Sequence, residues 1–189
     1  WCYPNEARNL GIEQAGSATH LVFVDNDIFV SAGWLEGLVR CADETGAGVV
    51  GPLYLEGDRS NPSVHCAGGE IIRITEKDGS NMLLTKQYEL GAPLSELPPL
   101  TRKATGLIEF HCVLLTRYFL DAIGGRIDES IQTTREHVDL CLRADLHGTE
   151  VYFEPASRVR YENSRPVCVS DIDFFMFRWD ELVTTKTIS

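Results

Sequence analysis

The feature that most constrains this chain is a short apolar run that ends in paired carboxylates. Residues 21–24 (LVFV) are apolar throughout, Asp25-Asn26-Asp27 follows at once, and apolar residues resume at Ile28. Burying carboxylates beside a hydrophobic strand is costly unless something neutralises their charge. Because oxygen ligands favour Mg²⁺ or Mn²⁺, we predict a divalent cation on Asp25 and Asp27 with open positions for a diphosphate. The alternative is a polar turn after a strand, which Asp and Asn also favour.

Apolar runs alternate with helical patterns along the whole chain. Helices are predicted over 5–14, 32–44, 117–123, 136–146 and 173–182. Strands are predicted over 21–24, 49–55, 107–115, 151–153 and 157–161, with shorter ones around the Gly68-Gly69 turn. Ser31 is the expected N-cap of the second helix. This alternation indicates an α/β fold with a mostly parallel central sheet flanked by helices, and ligands bind such sheets at the carboxyl ends of strands.

Length and local composition indicate one domain with a long loop. A chain of 189 residues has the length of a single domain. Residues 77–99 are polar and rich in Gly, Pro and Ser, so we interpret them as a surface loop, which is often functional in a compact domain. The first helical pattern follows Trp1-Cys2-Tyr3-Pro4 with no strand before it, so we expect a domain truncated at its N-terminus.

Charge and hydropathy exclude several kinds of partner. The formal net charge of −11 argues against a nucleic-acid partner and against a polybasic membrane patch. No apolar stretch is long enough to span a bilayer, so we expect no transmembrane segment in this chain. We expect a cytoplasmic location, with peripheral association at a membrane as an alternative. The six cysteines are widely spaced and are interpreted as buried free thiols.

A second dense group of ionisable residues lies at 134–143 (TREHVDLCLR). At helical spacing Glu136, Asp139 and Arg143 share one face. A carboxylate or imidazole at a helix start beside a metal site can act as a general base, so Glu136, His137 and Asp139 are all candidates. The alternative is a solvated first turn whose acid–Arg pair contributes about 0.2–0.5 kcal/mol.

Four segments in a fixed order carry a family resemblance. They are an R-N-x-G helix, a strand ending in D-x-D, a turn similar to G-x-F-D-E, and a helix similar to E-D-x-D-L-x-x-R with the strand after it. These patterns correspond here to residues 8–11, 21–27, 124–129 and 136–159. In this order they resemble the family 2 glycosyltransferases, which implies the Rossmann-like sandwich of the glycosyltransferase-A fold. The family's opening strand and turn have no counterpart in this sequence.

The resemblance implies an enzyme that transfers a sugar from a nucleotide-diphosphate sugar to an acceptor hydroxyl with inversion, as in polysaccharide biosynthesis. The implied acceptor is a saccharide or a lipid-linked molecule. Asp25 and Asp27 would bind Mn²⁺ or Mg²⁺, and Arg8, Asp25 and Asn26 would bind the donor. The alternatives are a non-catalytic or incomplete homologue that binds sugar nucleotides, and a nucleotidyltransferase.

Two positions depart from the family pattern. His137 stands where the family has the second acid of its E-D pair, which is its usual base. Histidine can act as a base near neutral pH, and Glu136 or Asp139 could take over. Tyr161 stands near the place of a histidine that often binds the metal, so the third protein ligand stays open. The remaining histidines are interpreted as structural or surface residues: His20, His65, His111 and His147.

Overall fold

The structure is a computed structural model that describes residues 2–75, 77–79, 81–131 and 135–161. The predicted helix over 173–182 lies outside these residues, as do Cys168 and Thr134. Within them the helices are Pro4–Gln14 (α1), Trp34–Thr45 (α2), Arg117–Ala122 (α3) and Glu136–Leu146 (α4), with a 3₁₀ turn at Leu94–Glu96. In the described part of the chain, no helix is both long and apolar enough to cross a bilayer.

Strands of the described residues form one large sheet and one hairpin. The strands are His20–Val24 (β1), Ile28–Val30 (β2), Val49–Glu56 (β3), Ser63–Cys66 (β4), Gly69–Thr75 (β5), Asn81–Gln87 (β6), Lys103–Ala104 (β7), Cys112–Thr116 (β8) and Val151–Tyr161 (β9). The large sheet has the order β1-β8-β3-β9-β2, with β4 paired to β3 and β7 to β9. β5 and β6 form a separate two-stranded sheet, and an isolated bridge joins Gly69 of β5 to Leu107.

Strand direction brings several chain segments to one edge of the sheet. β3 and β9 are parallel, while β8 runs antiparallel to both β1 and β3. The carboxyl ends of β1, β3 and β9 therefore lie at the same edge as the amino end of β8. The predicted α/β class with a helix-flanked sheet is confirmed, and the sheet is mixed because β2, β4, β7 and β8 run antiparallel to β1, β3 and β9.

Both faces of the large sheet are buried, which explains the uninterrupted apolar runs. Along β8, Val113 and Leu115 belong to a core under α1, α3 and α4. Cys112 and Leu114 point the other way, into a core under α2. This alternation follows from the two-residue period of a strand. The sheet therefore gives a rigid base for the side chains at its edge.

The prediction of a continuous loop over 77–99 is wrong in its middle. Asn81–Gln87 form β6, which pairs antiparallel with β5 from Gly69↔Gln87 to Thr75↔Asn81. Leu83 on this strand is buried in the core. The polar composition hid the strand, because its stability comes from pairing with β5 and from one buried side chain rather than from a continuous apolar pattern.

The predicted N-cap at Ser31 is also wrong. α2 begins at Trp34, and Gly33 before it has a φ of 76°, a left-handed conformation that glycine adopts at low cost. The Ser31 hydroxyl instead donates to the carbonyl of Arg158 at 2.8 Å. The reason is that residues 28–30 are extended and pair with β9, so Ser31 ends a strand.

Three predicted strands have different bounds in the structure. The strand predicted over 107–115 begins only at Cys112. The runs at 151–153 and 157–161 form the single strand β9, which is interrupted by a register shift opposite Pro52 and Leu53 rather than by a turn.

Candidate active site

Asp25 lies directly beyond β1 and is fixed from both sides. Its backbone N–H donates to the carbonyl of His111 at 2.9 Å, which continues the pairing of β1 with β8. This places the side chains together, and Nδ1 of His111 lies 3.1 Å from Oδ2 of Asp25. The other carboxylate oxygen, Oδ1, accepts from Arg8 Nη2 at 3.2 Å. Both oxygens of Asp25 are therefore engaged by cationic or polar partners.

Arg8 joins the two ionic clusters found in the sequence. Besides Asp25, its guanidinium lies 3.7 Å from Oε1 of Glu136, at the start of α4. It also donates to Oδ1 of Asn5 at 2.8 Å and lies 3.9 Å from the centre of the Phe110 ring. A planar guanidinium suits this combination of forked hydrogen bonds and stacking. The Arg8 side chain is only 10% exposed, so the contacts hold it in one place.

Among the residues that the structure describes, two carboxylate oxygens in this region are buried without a hydrogen-bond partner. They are Oδ1 of Asp27 and Oε2 of Glu136. A buried acceptor without a donor costs about 1–3 kcal/mol, and more when it is charged. A bound cation could satisfy Asp27, and a substrate hydroxyl could satisfy Glu136.

A group of histidine and glutamate side chains lies beside Asp25. One possible ligand atom from each of His65, Glu109 and His111 lies within 4.8 Å of the others. His65 and His111, interpreted from the sequence as structural or surface residues, both lie at the candidate site beside Asp25. The sequence Glu109-Phe110-His111 could have indicated this group. In an extended segment the side chains of its first and last residues point to the same side.

The charges of this group alter one another's ionisation. Burial alone would raise the pKa of Glu109, but the neighbouring His137, His111 and His65 outweigh it and lower that pKa. Burial alone would lower the pKa of His111, but the hydrogen bond to Asp25 and the charge of Glu109 outweigh it and raise that pKa. The group therefore favours an ionised Glu109 and a charged His111 when it is free of metal.

The three candidate bases on α4 have different surroundings. Glu136 and His137 both line a cavity of about 280 Å³, together with Glu109 and His111. Nε2 of His137 lies 3.8 Å from Oε2 of Glu109. Asp139 is buried and accepts from Arg143 Nε at 2.7 Å, so the acid–arginine pair considered for this helix face is present. Glu136 and His137 are therefore the accessible candidates.

Tyr161 lies at the carboxyl end of β9, inside the site. Its ring stacks on His111 with 4.3 Å between ring centres, and it lies 5.5 Å from the ring of His65. Burial and the negative charges of Asp27 and Asp25 raise the pKa of its hydroxyl. Tyr161 is therefore neutral near pH 7 and a poor metal ligand.

The predicted donor-binding residues share one cleft. Arg8, Asp25 and Asn26 all line a space of about 820 Å³ between α1 and β1. The cleft is also lined by backbone and side chains of residues 20–24. Its position beside a strand end agrees with where α/β sheets bind ligands. The role of the three residues in donor binding stays a prediction.

Comparison with known proteins gives a family match and a fold match. Residues 3–91 match the family model described as Glycosyl transferase family 2. No curated protein sequence matches the chain. Among solved structures, the crystal structure of GalNAc-T7 with UDP, GalNAc and Mn²⁺ is similar with a TM-score of 0.60 and 18% identity. That similarity covers 84% of this chain and 30% of the GalNAc-T7 chain.

The crystal structure of A197 from STIV also matches, over 86% of this chain and 78% of that one. Its TM-score of 0.40 and identity of 11% are too low to support a conclusion about fold. At 18% identity, the similarity to GalNAc-T7 shows the fold alone. The family resemblance agrees with the family-model match over residues 3–91, and the described residues form a mixed α/β fold similar to that of the GalNAc-T7 structure.

Proposed function

We propose that this protein transfers a sugar from a nucleotide-diphosphate sugar to an acceptor hydroxyl, with inversion and with help from a bound metal. The observation that carries the proposal is that Arg8 contacts both Asp25 and Glu136, and so joins the proposed donor and acceptor ends of one site. The chain spans only 30% of the GalNAc-T7 chain, and activity, substrates and partners are all part of the proposal.

The donor would bind in the cleft lined by Arg8, Asp25 and Asn26. Arg8 supplies a positive charge beside a diphosphate, and its guanidinium presents several donors in one plane. The family match supports a nucleotide-sugar donor. The UDP and GalNAc named for GalNAc-T7 make UDP the first nucleotide to test.

The residues at the end of β1 fit a divalent cation. Asp27 has a buried oxygen without a hydrogen-bond donor, and the oxygens of Asp25 keep lone pairs beyond those used by Arg8 and His111. Mn²⁺ is the first choice, because the similar GalNAc-T7 structure is named with that ion. A divalent ion bound here would stabilise negative charge on the departing diphosphate.

Glu136 is our choice for the base that deprotonates the acceptor hydroxyl. Its Oε2 atom is buried without a hydrogen-bond partner among the described residues, and its side chain lines the 280 Å³ cavity. Asp139 is held by Arg143, and His137 is directed towards Glu109. The acceptor proton would pass to Glu136 Oε2 while the hydroxyl oxygen attacks the anomeric carbon opposite the leaving diphosphate. Arg8 would keep the Glu136 carboxylate oriented.

This assignment is tested by measuring sugar transfer and nucleotide release with a panel of UDP-sugars and other nucleotide-sugars. Glu136→Gln should lower kcat by about 10²–10⁴-fold, because general base catalysis is lost while donor binding is kept. His137→Ala should have a smaller effect, and the exposed His147→Ala should have none. Full activity of Glu136→Gln would exclude Glu136 as the base.

The second candidate function is a binding protein without turnover. Tyr161 favours it, because a neutral ring stacked on His111 stands near the place where the family often has a metal ligand. The two functions are separated by one comparison. Tight binding of a nucleoside diphosphate with no release of nucleotide from any sugar donor would support the binding protein.

A further inference from the structure

We propose that His65, Glu109 and His111 bind a first-row divalent transition ion, with Zn²⁺ preferred over Mn²⁺, at a site separate from the Asp25 and Asp27 carboxylates. One ligand atom from each residue lies within 4.8 Å of the others. His65 comes from β4, while Glu109 and His111 precede and adjoin β8. These segments are far apart in sequence, and the sheet brings their side chains together.

Each imidazole is already oriented by a carboxylate. Nδ1 of His65 lies 3.0 Å from Oε2 of Glu56, and Nδ1 of His111 lies 3.1 Å from Oδ2 of Asp25. Because an ionised carboxylate can only accept, Nδ1 carries the proton in both pairs. In the neutral form of each ring Nε2 is then the nitrogen with a free lone pair, and a metal ion that binds there takes the place of the second proton of a charged His111. Histidines that bind metals are commonly held by such a carboxylate on the other ring nitrogen.

Glu109 supplies a negative charge that the protein has buried. The residue is 8% exposed, and Oε1 accepts a hydrogen bond from the Gln87 side chain. Its other oxygen, Oε2, lies 3.8 Å from Nε2 of His137, which is longer than a hydrogen bond. A buried carboxylate whose neighbours are imidazoles is costly when those imidazoles are neutral. A divalent ion between Glu109 and the two histidines would balance this charge.

The ligand set determines which ion fits. Two imidazoles and one carboxylate are a usual set for Zn²⁺ and other transition ions, whereas Mg²⁺ and Ca²⁺ prefer oxygen ligands. For a given site Zn²⁺ binds more tightly than Mn²⁺. The metal ion that this site prefers therefore differs from the ion that the oxygen ligands of Asp25 and Asp27 prefer. In a tetrahedral site with bonds of about 2.1 Å the ligand atoms lie roughly 3.4 Å apart, so small side-chain rotations would close it.

The surroundings restrict access to this site. The Tyr161 ring stacks on His111 and lies 5.5 Å from His65, which covers one side of the group. The proposed ion would also affect the neighbouring cleft, because His111 holds Asp25 through its Nδ1 hydrogen bond. The site uses no nucleotide contact, and its existence does not depend on the sugar-transfer proposal.

The test is metal binding by the full chain without any nucleotide. Protein freed of metal by a chelator and then dialysed is titrated with Zn²⁺ in competition with a chromophoric chelator, and in parallel with Mn²⁺. We expect one equivalent of Zn²⁺ to bind at least tenfold more tightly than Mn²⁺. Co²⁺ should give the visible absorption bands of an ion bound to nitrogen and oxygen ligands.

Matched variants decide which residues hold the ion. His65→Gln and Glu109→Gln should each weaken Zn²⁺ binding at least tenfold. His20→Gln is the control, because His20 also pairs with a carboxylate, that of Asp43 at 3.2 Å, but lies outside the group. Circular dichroism checks that each variant is folded. If the buried Glu109→Gln does not fold, His65→Gln decides alone, because its ring is partly exposed.

Several results would overturn this site. One is the absence of Zn²⁺ binding, and another is binding that His65→Gln leaves unchanged. Loss of Zn²⁺ binding in Asp27→Ala together with its retention in His65→Gln would place the ion on the aspartates instead. A chain that binds Zn²⁺ through His65 but no nucleotide would keep this inference and contradict the proposed function.

Discussion

Arg8 shows how one residue can define the geometry of this site. It contacts Asp25, Glu136 and the Phe110 ring at once, and those partners come from three separate segments. The family resemblance implies that Arg8 lies near the donor, but the contact with Glu136 could not be predicted. That contact depends on how α1 and α4 pack, which no local pattern contains.

Replacing Arg8 by lysine should reduce activity even though the charge is kept. Lysine has no planar fork and cannot hold Asp25 and Glu136 while it stacks on Phe110. We expect kcat/KM to fall by about 10- to 100-fold, or about 1.4–2.8 kcal/mol of transition-state stabilisation. Arg126→Lys, on the exposed surface beside Glu129, is the matched control. Equal activity of Arg8→Lys and Arg126→Lys would mean that the planar guanidinium of Arg8 has no role in the reaction.

At the scale of elements, buried asparagines of α1 form hydrogen bonds to the backbone of the segment that leads into α4. Asn9 donates to the carbonyl of Ile127 at 2.8 Å and accepts from the N–H of Ile127 at 2.8 Å. Asn5 donates to the carbonyl of Asp128 at 2.9 Å. These bonds tie α1 to the segment that leads into α4, and they explain why an asparagine follows Arg8 in this helix.

Asn9→Ala should lower the free energy of unfolding by about 1–3 kcal/mol, because it leaves the buried N–H of Ile127 without an acceptor. Leu10→Ala, on the exposed side of the same helix, should change it far less. Urea denaturation with a common m-value measures both. A variant Asn9→Ala as stable as Leu10→Ala would show that these bonds do not anchor α1.

Elements with a strong local pattern were predictable, and those that depend on pairing were not. The helix Glu136–Leu146 has its predicted bounds, because an amphipathic pattern and a following glycine mark it. β6 was missed because its pattern is weak and its partner strand supplies the stability. The same limit applies to the site. Asp25 and Asp27 follow one strand in sequence, whereas His65 and Glu109 meet only after the sheet has formed.

At the scale of the whole molecule, the two cores on either face of the sheet bury four of the five described cysteines as unreactive thiols. Burial raises the pKa of Cys41 to about 11 and the pKa values of Cys112 and Cys141 to about 12. Cys66 is also fully buried, whereas Cys2 is exposed. The prediction of buried free thiols is confirmed for Cys41, Cys66, Cys112 and Cys141, while Cys2 departs from it.

Thiol labelling of the native protein near pH 8 should therefore separate these cysteines. Iodoacetamide should modify the exposed Cys2 in the native protein and the buried four only after unfolding. Because the thiolate is the reactive form, labelling of Cys2 should be slower than that of a free cysteine, since desolvation and the neighbouring Glu6 raise the pKa of its thiol. Peptide mass spectrometry before and after denaturant gives the comparison. Rapid native labelling of Cys112 or Cys141 would contradict the packing of the two cores.

Binding of a nucleoside diphosphate with a metal is the most direct test of the central claim. With UDP at about 100 times its Kd in saturating Mn²⁺, the melting temperature should rise by roughly 5–10 °C above its value in Mn²⁺ alone. Asp27→Ala should abolish this rise and His147→Ala should keep it. No rise with UDP or with any other nucleoside diphosphate would contradict a nucleotide-sugar site at Asp25 and Asp27.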